Sequence, residues 1–146
     1  LRLAPVTAPY FDGASLLVAA DCSAFAYAAF HRHLLADRVC LIGCPKLDAA
    51  DYAEKLAEII SGNDIRSLTV VRMEVPCCGG LALAAKTALH KSGKDIPYQV
   101  VTVHIDGTLQ PMYAPIGHAS AYKKCTRIYT ELWMQGRSIN KLTVSA

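Results

Sequence analysis

Apolar and polar positions alternate between two rhythms along this chain. Four short apolar runs, Ser15–Ala20, Val39–Gly43, roughly Leu68–Val75 and roughly Gln99–Ile105, read as strands. The first two are apolar almost without interruption, as buried parallel strands should be. Between the runs, apolar residues recur three or four apart. Ala26, Phe30 and Leu34 mark a helix over roughly Ala24–Leu35, and Tyr52, Leu56, Ile59 and Ile60 mark one over roughly Ala49–Ile60. A third helix is predicted over roughly Leu81–Lys91, with Gly93 behind it as a C-cap. Asp48 is expected to cap the second helix, with Asp51 completing a capping-box-like pair, and Gly62-Asn63 to end it. Residues 1–13, with Pro5, Pro9 and Gly13, read as an extended lead-in.

The order is β-α-β-α-β-α-β. The fold class is therefore α/β: a three-layer architecture with a mostly parallel four-stranded sheet and right-handed crossovers. The α/β domain is expected over residues 1–109. From 110 to 146 the rhythm breaks at Pro111, Pro115 and Gly117, and this irregular or helical C-terminal tail has a possible helix near Lys123–Met134. Tyr122, Tyr129 and Trp133 could pack it on the domain.

The chain has 146 residues, of which 53% are hydrophobic and 18% charged, below a usual share of about 25%. That composition opposes disorder and suggests a crowded core or a partner-facing surface. Net charge is +3, spread thinly, which does not predict nucleic-acid binding. No apolar run reaches the ~18 residues of a membrane span, and the first residues lack a signal-peptide layout. A soluble, cytoplasmic protein is expected. The lack of an initial Met raises the expectation of a piece of a longer chain.

The six cysteines change the picture most. A secreted disulfide scaffold is one explanation. The length supports a core without staples, and the cysteines cluster beside Gly and Pro at strand ends, which favours a reduced setting. Cys22 follows strand one, Cys44 strand two, and Cys77 and Cys78 strand three. Parallel strands put all their C-terminal ends on one edge, where ligand sites of open α/β sheets form. Adjacent strands lie only about 4.8 Å apart, so the four thiolates could share a metal or cluster. Gly79 and Gly80 permit a bend that would turn both Cys77 and Cys78 into the crevice. They also open helix three, whose free N–H groups should favour thiolates and make these thiols ionise readily. The alternative is that strand-end cysteines are small buried hydrophobes. Cys40, inside strand two, reads as core, and Cys125 as incidental.

Asp21 is a helix cap or a proton-handling group. His31, about two turns past Cys22, is a structural histidine or a ligand. Lys46 balances thiolate charge or is simply solvated. Glu74, late in a buried strand, needs a partner, either Arg72 or the crevice. His33, His90, His104 and His118 show no ligand spacing. Several motifs are absent: Cys-x-x-Cys, G-x-G-x-x-G after strand one, G-x-x-x-x-G-K and G-x-S-x-G.

Longer blocks carry a family resemblance. They are Ala8-Pro9-Tyr10-Phe11, Ala19-Ala20-Asp21-Cys22, Phe30-His31, Ile42-Gly43-Cys44-Pro45-Lys46-Leu47-Asp48, the stretch Val70 to Gly80 and the stretch Ser92 to Pro97. Together, over roughly residues 1–109, the chain resembles the C-terminal domain of ferredoxin-like 4Fe-4S iron–sulfur cluster-binding proteins of anaerobic bacteria and archaea. In those proteins a portion with Cys-x-x-Cys cluster motifs precedes this region, and this sequence shows none. The Cys77-Cys78-Gly79 element is also similar to cluster-binding motifs of heterodisulfide reductase subunits.

The resemblance implies a 4Fe-4S cluster held by Cys22, Cys44, Cys77 and Cys78, with His31 as a matched position of no assigned role; the residue pattern adds Asp21, His31, Lys46, Gly79 and Gly80 as candidates around it. The function expected is a redox domain passing electrons to a ferredoxin-type or other redox protein domain. Zinc is the alternative metal. Two other functions stay open: a zinc-dependent or thiol-based enzyme using the same cysteines, and a metal-free interaction module. The sequence leaves substrate, oligomeric state and the role of the tail undefined.

Overall fold

The computed structural model describes Leu1 and residues 3–110. The expected tail helix, its aromatics and Cys125 lie outside the described residues. Four parallel strands form one sheet: β1 (Ala14–Ala20), β2 (Val39–Gly43), β3 (Ile65–Met73) and β4 (Tyr98–Val103), in the order β2-β1-β3-β4. Helices α1 (Ser23–Ala26), α2 (Tyr52–Gly62) and α3 (Gly79–Ser92) lie in the connections. Right-handed crossovers in this order put the 23–36 segment on one face and α2 with α3 on the other. The expected three-layer α/β class is what forms.

Burial explains the strand patterns. The inner strand β1 is buried from Leu16 to Ala20, because a central strand is covered on both faces. The edge strand β2 is equally apolar in sequence, yet Ile42 is exposed. The core gathers Leu16, Leu17 and Val18 from β1, Leu68, Val70 and Val71 from β3, Leu56, Ile59 and Ile60 from α2, and Leu81, Ala85 and Ala88 from α3.

Three expectations shift. The helix expected over 24–35 is broken. α1 is a single turn, and a π-type turn, His31–Leu35, follows after Tyr27 leaves helical geometry. The apolar spacing there reflects packing of Phe30 and Leu34 on the core, not a continuous helix. The cap of α2 is Asp51, whose carboxylate accepts from Ala53 N–H at 2.8 Å. Asp48 is freed for another task, described below. The third strand starts and ends earlier than expected, so Cys77 and Cys78 fall in a 3₁₀ turn, Pro76–Cys78, leading directly into α3. Gly93, in the left-handed region at φ +66°, ends α3 as expected.

Candidate functional site

The sheet register lines up the strand ends. Ala19, Ile42, Val71 and Val101 are level across the four strands. Just beyond that line the chain places Cys44 after β2, Cys22 after β1, Cys77 and Cys78 after β3, and His104 after β4. The edge where the cysteines were expected is therefore the edge they occupy, across three neighbouring strands.

Loop packing brings them closer. A Cβ on Gly80 would sit 3.3 Å from Pro45 Cβ, so only glycine lets the Cys44 loop rest easily on the first turn of α3. Asp48 braces the same loop. Its Oδ2 accepts from Cys44 N–H at 3.3 Å and from the Tyr52 hydroxyl, while the Cys44 carbonyl accepts from Leu47 and Asp48 N–H. Burial and the Asp48 carboxylate push the Tyr52 hydroxyl up, so it stays protonated as a donor.

The four thiols are not equivalent. Cys78 is buried, Cys44 is half-buried, and Cys22 and Cys77 are exposed. Gly79 takes ordinary helical angles, φ −58° and ψ −35°, so α3 starts without a special bend there, and the Cys77 and Cys78 thiols interact with each other. All described cysteines are free thiols.

Their acidity also departs from expectation. Loss of water around its sulfur raises the Cys22 thiol above its ordinary value, and Cys78, Asp21 and Cys44 raise it further by repulsion. Burial raises Cys78 as well; a backbone hydrogen bond with Met73 opposes this, while Cys77 and Cys44 add to it. Cys78, at the start of α3, is thus raised and not lowered, against the expectation of a readily ionised thiol there, with loss of water the largest cause. Cys40 is raised by burial alone, in keeping with a core role.

The surrounding candidates divide. Asp21 is exposed and α1 carries no side-chain cap, so it is not the helix cap; its charge acts on Cys22. His31 is exposed with its ring edge-on to Phe30, and it is not among the groups acting on Cys22 or Cys78. Lys46 is likewise exposed and not among them. Gly79 faces the Arg72 guanidinium at 3.8 Å from its missing Cβ. Glu74 pairs with neither Arg72 nor a thiol. Its Oε2 lies 2.6 Å from His104 Nδ1, a partner that linear spacing did not reveal. The signal available was register: each residue stands three past the level pair Val71 and Val101.

Among the described residues, no three His, Cys, Asp or Glu side chains are grouped to hold a metal ion as they stand. No helix among them is long and apolar enough to cross a membrane.

A parallel sheet in the order 2-1-3-4 with helices in its crossovers defines a doubly wound α/β domain. The profile of a family described as a Rossmann-like domain matches residues 8–141, and the chain belongs to that family. It is 32% identical over 105 residues to an uncharacterized protein of Archaeoglobus fulgidus, covering 71% of this chain and 74% of that one. No solved structure matches. These findings overturn the resemblance to ferredoxin-like iron–sulfur proteins. The blocks around Cys22, Cys44 and Cys77-Cys78 lie at strand ends of a Rossmann-like domain, and such short blocks record a common fold frame more than a cofactor. A dinucleotide does not fit the usual place either. The loop Ala20-Asp21-Cys22-Ser23 has no glycine for a pyrophosphate, and α1 is one turn long.

Proposed function

We propose that the C-terminal edge of the sheet is a thiolate site for a metal centre in a redox role, with Cys22, Cys44, Cys77 and Cys78 as its ligands. The observation that carries this is topological. Three adjacent parallel strands each deliver a cysteine within a few residues of their ends, where sites of this fold class form. The Gly80–Pro45 contact and the Asp48 brace support it, since they hold Cys44 toward the turn that carries Cys78.

A single tetrahedral ion needs its thiolate sulfurs roughly 3.8 Å apart, from Zn–S bonds of about 2.3 Å. Four thiolates are also the ligand set of an iron–sulfur cluster, the reading preferred here. Such a cluster would supply one-electron chemistry. The chain's own part is to provide the thiolates, shelter Cys78 in the core and leave Cys22 and Cys77 at the surface. A redox protein partner would meet this edge, where Phe25, Leu47 and Ile105 lie exposed.

The experiment is metal and acid-labile sulfide analysis of protein purified without oxygen. Iron and sulfide in near-equal amounts, lost in the Cys22→Ser and Cys44→Ser variants, is the expected result. Zinc without sulfide would replace the cluster by a single ion. Protein holding neither metal nor sulfide would overturn the proposal.

A further inference from the structure

The register that gathers the cysteines also brings together an acid and an imidazole. Three residues beyond the level line stand Cys22 after β1, Glu74 after β3 and His104 after β4. Glu74 uses both carboxylate oxygens: Oε2 lies 2.6 Å from His104 Nδ1, and Oε1 accepts from Ile105 N–H at 2.8 Å. The backbones are held too. Glu74 N–H donates to the Val103 carbonyl at 3.0 Å, and His104 N–H donates to the Thr108 carbonyl at 2.8 Å.

The hairpin after β4 presses on the loop after β1. A Cβ on Gly107, at φ +82°, would lie 3.0 Å from the Ala26 carbonyl oxygen. The imidazole therefore stands on an element packed against the loop that carries Cys22. Its side chain is 33% exposed. The other charged group nearby is Asp106, whose Oδ1 is occupied by the N–H and hydroxyl of Thr108 at 2.9 and 2.7 Å.

A carboxylate beside Nδ1 selects the tautomer with the proton there. It leaves the lone pair on Nε2, the nitrogen turned away from the carboxylate. Closing the hairpin does not require this ring, because Glu74 already holds the turn through Ile105 N–H. We propose that His104, oriented by Glu74, is a proton acceptor of this sheet edge, acting on a weakly acidic O–H or S–H group of a ligand bound beside it. The proton passes from that group to Nε2, the electron pair stays on the oxygen or sulfur, and Glu74 balances the imidazolium. This rests on the edge being the functional one, and not on which metal, if any, it holds.

The test is residue-by-residue modification by diethyl pyrocarbonate, read by peptide mass spectrometry on the full chain at neutral pH. Nε2 bonds to a carbonyl carbon of the anhydride, the ring loses its Nδ1 proton, and ethyl hydrogen carbonate leaves, breaking down to ethanol and carbon dioxide. His104 is expected to react several-fold faster than the exposed His90, and Glu74→Gln to bring it down to the His90 rate. Equal rates in the wild-type protein, or no effect of Glu74→Gln in a folded variant, would overturn the proposal. Nitrogen-15 NMR of the wild-type protein needs no variant: the Nδ1–H tautomer at His104 supports it, and the Nε2–H tautomer sinks it. Metal and sulfide assayed on the same samples keep the two proposals apart. A fast His104 in protein without metal would leave this inference standing while the cluster reading falls.

Discussion

The two halves of the sheet edge face the same solvent with opposite electrostatics. At the ends of β1 and β2, joined by Cys78 from β3, acidic groups crowd one another, and no cation is among the groups acting on Cys22 or Cys78. Burial raises the Cys22 and Cys78 thiols, and their neighbours add repulsion. At the ends of β3 and β4, a backbone N–H from Ile105 and the His104 ring lower the Glu74 carboxyl, with Asp106 opposing only weakly. One half holds its protons, and in the other the Glu74 carboxyl gives its proton up more readily. Sharing an edge thus does not confer a common chemistry; the partners within hydrogen-bond reach decide it.

The largest change expected breaks both halves together. Leu68, at the middle of β3 and fully buried, supports every strand end through the sheet. Leu68→Ala should cost about 2–5 kcal/mol. A urea midpoint shifted by less than a fifth of that cost would show that β3 is not the shared support.

Gly80→Val should separate the cysteine half from within. The added branches would push on Pro45, which a single Cβ already approaches at 3.3 Å. A loss of about 1–3 kcal/mol is expected for such overpacking, together with faster alkylation of Cys78 as the Cys44 loop lifts. An unchanged alkylation rate would mean that Pro45 does not shelter Cys78.

The Glu74 half should show itself in acid. Its folded pKa lies below the ordinary 4.5, so its stabilising contribution is full above that value. The contribution falls away as pH drops through the lower, folded value. Glu74→Gln should therefore flatten the acid limb of a stability–pH curve measured by urea melts. It should not abolish that limb, because Asp106 is lowered too, by hydrogen bonds from Thr108. A limb as steep as the wild type's would show that the pair does not form in solution.

The smallest effect concerns the thiols. Cys78→Ser removes the neighbour that most strongly repels the Cys22 thiolate. Iodoacetamide should then alkylate Cys22 modestly faster at neutral pH, and Asp21→Asn should do the same to a lesser degree. Slower alkylation in both would reverse the sign argued for this cluster.

Much of this was legible in the chain. Continuous apolar runs such as Ser15–Ala20 announced buried parallel strands, and the Gly and Pro near the cysteines placed them at strand ends. The break in the first helix was not legible, since Phe30 and Leu34 keep helical spacing while the backbone between Tyr27 and Ala29 departs from it. Nor was the role of Asp48. A cap and a loop brace have the same residue preference, and only the position of Tyr52 and Cys44 N–H separates them. The family resemblance failed for a related reason, since local blocks around strand ends fit more than one family of α/β domain.

What the linear chain settles is periodicity: which stretches are strands, which are helices, and hence that Cys22, Cys44, Cys77 and Cys78 share an edge. Those are local properties of hydrophobic spacing and turn residues. Tertiary structure alone decides which thiols are buried, that Gly80 seats Pro45, and that Glu74 meets His104 across thirty positions of sequence. Those outcomes depend on register and on water lost between segments distant in the chain, and no spacing within one segment encodes them.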